Sequence, residues 1–248
     1  MSKTVGIIAG TGFYDIPGLT DKEWKEVTTV YGTAKVMTGN WNGISVVFLT
    51  RHGAKHTIPP HMINFRANIR ALKDSGVGRV VAISVVGGVD TSLKPGDLTL
   101  IDDFVDFTSG REHTFFDGSG PEGVQHVDVT YPYDRTIQAA LRESASRQGI
   151  PLREKGIYAG FNGPRFETPA EIRFAALAGA TVVGMTGCPE VSLAREAGIP
   201  YATIALIVNP AAGLSEKEIT VDDINAALDL GREKTLSIIA GALPALSS

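Results

Sequence analysis

Side chains able to do chemistry recur in this sequence at one kind of place, the end of an apolar run. Gly10-Thr11-Gly12 closes TVGIIAG (4–10), and Arg51-His52-Gly53 follows ISVVFLT (44–50). Ser84 lies in RVVAISVV (79–86), which leads into Gly87-Gly88. Met185-Thr186-Gly187 closes TVVGM (181–185), and Asn209 ends YATIALIV (201–208). Glycines let backbone approach an anion and aim N–H groups at it. Thr11, Ser84 and Thr186 add hydroxyl donors, and the Arg51 guanidinium is a charged fork shaped for phosphate. Together these groups describe a phosphate site assembled from several strand ends. Asn209 has two readings. Asn-Pro is a common turn dipeptide; alternatively, the amide reads a ligand in a pocket at the strand's carboxyl end.

The same residues give little support to other chemistries. Gly10-Thr11-Gly12 is half of a dinucleotide fingerprint, but Asp15 occupies the third glycine position and no ribose-binding acid follows a second strand. The histidines are His52, His56, His61, His113 and His126, and the first three fall within RHGAKHTIPPH. Pro59 and Pro60 break any helix there, and the segment has no carboxylate or thiol, so no metal site is expected. Cys188 precedes Pro189 at a helix start and reads as a small buried residue, since no Cys–His spacing supports a nucleophile. No nucleophile-elbow serine is present.

The elements that must position the strand-end groups are given by periodicity. The β-branched apolar runs named above read as strands buried on both faces. GNWNG (39–43) reads as a hairpin turn between KVMT and ISVVFLT. Helical periodicity covers 63–76, 168–179 and 189–198, each ending in glycine, with further helices at 133–148 and from TVDD (220–223) to about Leu243. This alternation predicts an α/β fold, one domain over 1–248 with a central mixed, mostly parallel sheet flanked by helices. Ligands of such sheets bind beyond the carboxyl ends of the strands, where the polar groups stand. The segment from Thr108 to Tyr131 lacks periodicity, and an irregular stretch that long is usually functional or interfacial.

Bulk composition narrows the partners. With 248 residues, 43% hydrophobic, the chain can bury a large core without staples. A net charge of −4 gives no attraction to nucleic acid or an anionic membrane, so any phosphate must be held by local groups. One cysteine excludes an internal disulfide framework and fits a reducing compartment. The apolar run of MSKTVGIIAG is too short for a signal peptide, and no apolar run approaches the ~20 residues that span a bilayer. A cytoplasmic protein is expected.

Five stretches, taken as an ordered set, carry a resemblance. GTGFYD (10–15), RHGAKHTIPPHMINFRANIRALK (51–73), KPGDLTLIDDFVDFT (94–108), NGPRFETPAEIRF (162–174) and MTGCPEVSLAREAGIPYATIAL (185–206) resemble the methylthioadenosine phosphorylase and trimeric purine nucleoside phosphorylase family. The resemblance covers nearly the whole chain. It implies a purine nucleoside phosphorylase-like domain in a homotrimer with active sites at subunit interfaces. It also implies phosphorolysis of a purine nucleoside, with inorganic phosphate as co-substrate and no cofactor. By position it makes Thr11, Arg51, His52, Ser84, Val85 (through its backbone N–H) and Thr186 the phosphate ligands. Met185 would lie against the sugar and Phe166 against the base, and His126 would enter a neighbouring subunit's pocket near the 5′ position.

Base choice rests on three departures from the pattern of family members acting on 6-aminopurines. Those resemble one another in carrying Asp at the Asn209 position, a second Asp two residues on, and Ser at the Glu167 position; this chain has Asn209, Ala211 and Glu167. A 6-oxopurine presents an N1–H donor and acceptors at O6 and N7, which suit a carboxylate and an amide. Asn209 and Glu167, with His52 beside the phosphate, are therefore the expected catalytic residues. Val221 stands where a small apolar residue accompanies 5′-methylthio substrates. The expected substrates are 5′-methylthioinosine, inosine and guanosine, the alternative being 5′-methylthioadenosine. A hydrolytic nucleosidase would need no phosphate cradle, and a nucleotide-binding module would need the missing glycine.

Overall fold

The computed structural model describes residues 3–53 and 57–248, so His56 lies outside it. Among the described residues ten strands form one mixed sheet. Its parallel centre is β1 (Thr4–Ala9) between β4 (Ile44–Thr50) and β5 (Val77–Gly88), with β10 (Tyr201–Pro210) on the far side of β5. Consecutive residues of these strands enter different cores. Ile7, Phe48, Val81 and Ile204 join one apolar cluster, while Ile8, Leu49, Ala82 and Ala205 join another. This division reflects the two-residue period of a strand, and it explains why the runs are apolar without alternation. Helices α2 (Arg135–Arg147) and α5 (Val221–Leu246) cover the first face; α1 (Phe65–Asp74) and α4 (Glu190–Glu196) cover the second.

Beyond this centre the sheet extends on both sides. β2 (Leu19–Thr29) and β3 (Gly32–Trp41) continue antiparallel past β4. The expected turn at 39–43 contracts to Asn42-Gly43, with φ of 52° and 81°, the left-handed pair that a two-residue hairpin requires. On the other side β5 ends in a fork. Its last two residues pair with β10 on one edge and, antiparallel, with β9 (Val182–Gly184) on the other. β8 (Ile157–Gly160) and β7 (Asp103–Asp106) continue from β9, and β6 (Leu98–Ile101) lies antiparallel on β10. Gly87 stands in the fork. A Cβ there would sit 3.1 Å from Val183 and 3.3 Å from the Asn209 amide, so any other residue would push the branches apart by a few tenths of an ångström.

Several expectations are corrected in detail. β10 does not stop at Val208 before an Asn-Pro turn. A register shift after Ile207 inserts an extra residue, and Asn209 and Pro210 then pair with Gly87 and Gly88. Such a bulge re-aims the side chains beyond it. β2, whose sequence LTDKEWKEVTT is largely polar and exposed, was not expected, nor were the four-residue strands β6, β7 and β8. All five expected helices are present, shortened at one or both ends except α5, which runs on to Leu246. Gly76, Gly179 and Gly198 end α1, α3 (Pro169–Leu177) and α4 with φ of 74°, 86° and 68°. No helix or strand occurs between Phe107 and Asp134, so the 108–131 segment is irregular as read. Among the described residues no helix is long and apolar enough to cross a membrane.

Candidate active site

The fork of the sheet opens into a cavity of about 280 Å³, near the lower end of the roughly 300–1,000 Å³ usual for small-ligand pockets. Thr11, Arg51, His52, Val85, Thr186, Phe166, Glu167, Met185, Asn209 and Ala211 are among the residues that line it. Residues singled out in the sequence thus meet in one space although they come from six separate stretches of chain.

At the polar end, Thr11 lies just past β1, Arg51 and His52 just past β4, and Thr186 just past β9. Ser84 lies between Ile83 and Val85 on β5, 1% exposed, and its Oγ is buried without a partner. His52 donates from Nδ1 to the carbonyl of Ile58 at 2.8 Å, because a carbonyl can only accept. This turns the Nε2 edge toward Gly10, where a Cβ would meet it at 3.4 Å. Tyr158 accepts from the backbone N–H groups of Thr186 and Gly187, each at 3.1 Å, and so holds the Thr186 turn from behind. Burial pushes the Tyr158 hydroxyl up to about 12. Gly187 is required here, since a Cβ would lie 2.8 Å from the Tyr158 ring.

Arg51 differs from the sequence expectation. It is 2% exposed, and its Nε–Nη2 edge is turned to Glu190 although the residue lines the cavity. Nε and Nη2 donate to the two carboxylate oxygens of Glu190, both at 2.7 Å, and Nη1 donates to the carbonyl of Ile83 at 2.6 Å. Burial opposes the guanidinium charge, but the Glu190 charge and hydrogen bonds more than offset it and hold Arg51 above its ordinary value. The bidentate geometry that suits phosphate is used on a carboxylate instead.

At the other end, Asn209 and Glu167 are each 8% exposed. Asn209 arrives there through the bulge, and its Nδ2 donates to the carbonyl of Pro210 at 2.7 Å. One amide N–H and the Oδ1 acceptor remain for a ligand. Glu167 is aimed by the helix that comes after it. Thr168 caps α3 and forms a reciprocal capping box with Glu171, and Arg165 pairs with the same Glu171, so both neighbours of the Phe166-Glu167 pair are fixed. Glu167 Oε1 is buried with no partner. Burial raises its pKa above the ordinary carboxyl value, as expected for a charge awaiting a donor. Phe166, 45% exposed, stands at the rim.

Three expected residues are not among those lining the cavity of this chain: Ser84, buried in β5 between the lining residues Ile83 and Val85, His126 and Val221. His126 is exposed within the irregular segment, and Val221 is 71% exposed at the first turn of α5. The α5 side chain that does line the cavity is Ile224, one turn further on. Sequence reading also passed over Glu190, Tyr158 and Arg111. Arg111 donates to the carbonyls of Phe161, Asn162, Met185 and Cys188, tying the irregular segment to the Met185 turn. Only partner geometry reveals these residues; a glutamate on a helix or an arginine in a loop gives no signal of its own. Cys188 is buried, which pushes its thiol well above its usual range. Among the described residues no three of His, Cys, Asp or Glu gather as a metal site.

The chain matches known proteins along its length. The family model described as phosphorylase superfamily covers residues 4–244. The 6-oxopurine nucleoside phosphorylase of Pyrococcus furiosus is 43% identical over 97% of this chain and 92% of its own. A probable S-methyl-5′-thioinosine phosphorylase of Pseudomonas syringae is 42% identical over 96% of this chain and 98% of its own. Among solved structures, the methylthioadenosine phosphorylase of Schistosoma mansoni in complex with adenine aligns with a TM-score of 0.91 at 33% identity, over 98% of this chain and 91% of that one. With a family model over residues 4–244 and relatives above 40% identity along nearly its whole length, this chain belongs to the phosphorylase superfamily.

Proposed function

We propose that this protein is a pentosyltransferase that splits 6-oxopurine nucleosides with inorganic phosphate, giving the free base and a ribose 1-phosphate. Phosphate oxygen attacks C1′ as the bond from C1′ to N9 of the base breaks; that electron pair leaves on the purine, and the sugar is cation-like in between. Thr11, Ser84 and Thr186, the backbone N–H of Val85, and Arg51 and His52 hold the phosphate, whose charge stabilises the sugar cation and whose oxygen is the nucleophile. The Asn209 amide donates to N7 or O6 as negative charge grows on the base. Met185 and Phe166 flank the sugar and base.

The observation that carries the base assignment is Glu167, a buried carboxylate with an unpartnered Oε1 on the same cavity as Asn209. It suits the N1–H of hypoxanthine or guanine and opposes the lone pair of adenine N1. The likeness to a methylthioadenosine phosphorylase favours the 6-aminopurine instead, and Glu167 weighs against it. The apolar Ile224 on the cavity favours a 5′-methylthio group over a hydroxyl by about one or two kcal/mol. A homotrimer in which His126 enters the neighbour's pocket completes the 5′ end, and a cytoplasmic setting suits the lone buried thiol.

The test is kcat/KM at saturating phosphate on methylthioinosine, inosine, methylthioadenosine and adenosine. The oxo member of each pair is expected to lead by about a hundredfold or more, because a mismatched hydrogen-bonding base leaves buried groups unpaired. Equal rates on methylthioinosine and methylthioadenosine would reject the assignment.

A further inference from the structure

The Arg51 guanidinium has five N–H groups, and three are already committed: two to Glu190 and one to the Ile83 carbonyl. Its Nη1 is the atom nearest the cavity wall at Gly10, where an added Cβ would lie 3.9 Å away. Glu190 is itself 0% exposed, at the first turn of α4, and its Oε1 also accepts from the Tyr201 hydroxyl at 2.7 Å. Tyr201 starts β10 and Arg51 follows β4, so this carboxylate ties the start of β10 to the end of β4, and Arg51 carries the link on to Ile83 within β5. Arg51 lines the cavity; Glu190 and Tyr201 stand behind it.

We infer that Glu190, steadied by Tyr201, is the positioning residue of the phosphate site: it fixes Arg51 edge-on, so that the remaining Nη1 N–H faces the anion. The inference rests on the phosphorolysis reading above. A guanidinium held by both carboxylate oxygens cannot swing its fork toward the ligand; of its two uncommitted N–H groups, the one on Nη1 lies on the Gly10 side and meets phosphate in a set direction. Removing the carboxylate frees the fork and leaves a buried N–H without an acceptor. The phosphate then loses its alignment while the base end, built on α3 and the β10 bulge, is untouched.

The experiment measures KM for phosphate and for inosine separately in the parent, Glu190→Gln and Tyr201→Phe, with melting temperatures taken with and without phosphate. Glu190→Gln is expected to raise the phosphate KM by about tenfold or more, the loss of a charge-assisted hydrogen bond. The inosine KM at saturating phosphate stays within about threefold, and the phosphate-induced rise in melting temperature shrinks. Tyr201→Phe keeps the ion pair and shifts the phosphate KM the same way by about threefold; it decides the matter if the Glu190 variant does not fold. A phosphate KM that stays at the parent value in a folded variant, or two KM values that rise together, overturns the inference. A parent that releases base without phosphate overturns the phosphorolysis reading instead, which is a separate outcome.

Discussion

Glu167→Gln keeps the shape of the side chain and exchanges one acceptor oxygen for a donor nitrogen. Its effect is set by the geometry of the base pocket. Among the described residues Glu167 Oε1 has no partner, so on the proposed reading a hydrogen bond with N1 of the base is the one it gains on binding. With a 6-oxopurine, glutamine still accepts from N1–H through its carbonyl but loses the charge assistance, costing about 1–2 kcal/mol, roughly five- to thirty-fold in kcat/KM. With a 6-aminopurine, glutamine turns its amide to donate to N1, replacing repulsion with a bond, a gain of about 1–2 kcal/mol. The preference of inosine over adenosine should therefore shrink by about two orders of magnitude. Acid should act on the parent in the same sense. Burial favours the neutral carboxyl and holds Glu167 above its ordinary 4.5. As pH falls through that raised value the group gains a proton, stops attracting N1–H and becomes a donor to adenine. The inosine-to-adenosine ratio of the parent should fall on the acid side, and that of the glutamine variant should stay flat. Taking the ratio cancels the ionisation of phosphate, which both substrates share. The assay is kcat/KM for both nucleosides across pH at saturating phosphate. A parent ratio constant with pH, together with an unchanged ratio in the variant, would refute the role given to this carboxylate.

Three further outcomes are expected. Asn209→Asp with Glu167→Ser should lower activity on 6-oxopurines and raise the relative rate on 6-aminopurines; a pure turn role for Asn209 would cost stability and leave the ratio alone. Tyr158→Phe leaves the Thr186 and Gly187 N–H groups without their acceptor; the cost is about 2 kcal/mol, roughly 4–8 °C in melting temperature, with a higher phosphate KM, checked by calorimetry and kinetics. The solution mass should be three times that of one chain, and His126→Ala should weaken turnover through the 5′ end of the nucleoside; a monomer with full activity would remove the shared-site reading.

What could be read from the sequence divides along physical lines. β1, β4, β5 and β10 are buried on both faces, so their apolar runs declare them, and groups at or just past their carboxyl ends line one cavity. β2 is an exposed antiparallel edge whose polar residues imitate a loop, and β6 to β8 are too short for any period to register. That Thr11, Thr186 and Asn209 line a cavity is legible from their position at strand ends. The orientation of Arg51 is not, because the residue that sets it, Glu190, lies 139 positions away in the chain. Asn209 lines the cavity, but the bulge that puts it there depends on pairing with Gly87 and has no local signature. Val221 and Ile224 lie one turn apart on α5, and only the packing of that helix decides which of them meets the ligand.

Base release from inosine with and without inorganic phosphate, with ribose 1-phosphate and hypoxanthine both quantified, bears most directly on the central reading. The strand-end anion site predicts release that rises with phosphate to saturation, equimolar ribose 1-phosphate and hypoxanthine, and only a trace without phosphate. Release at full rate in phosphate-free buffer, yielding free ribose, would contradict it.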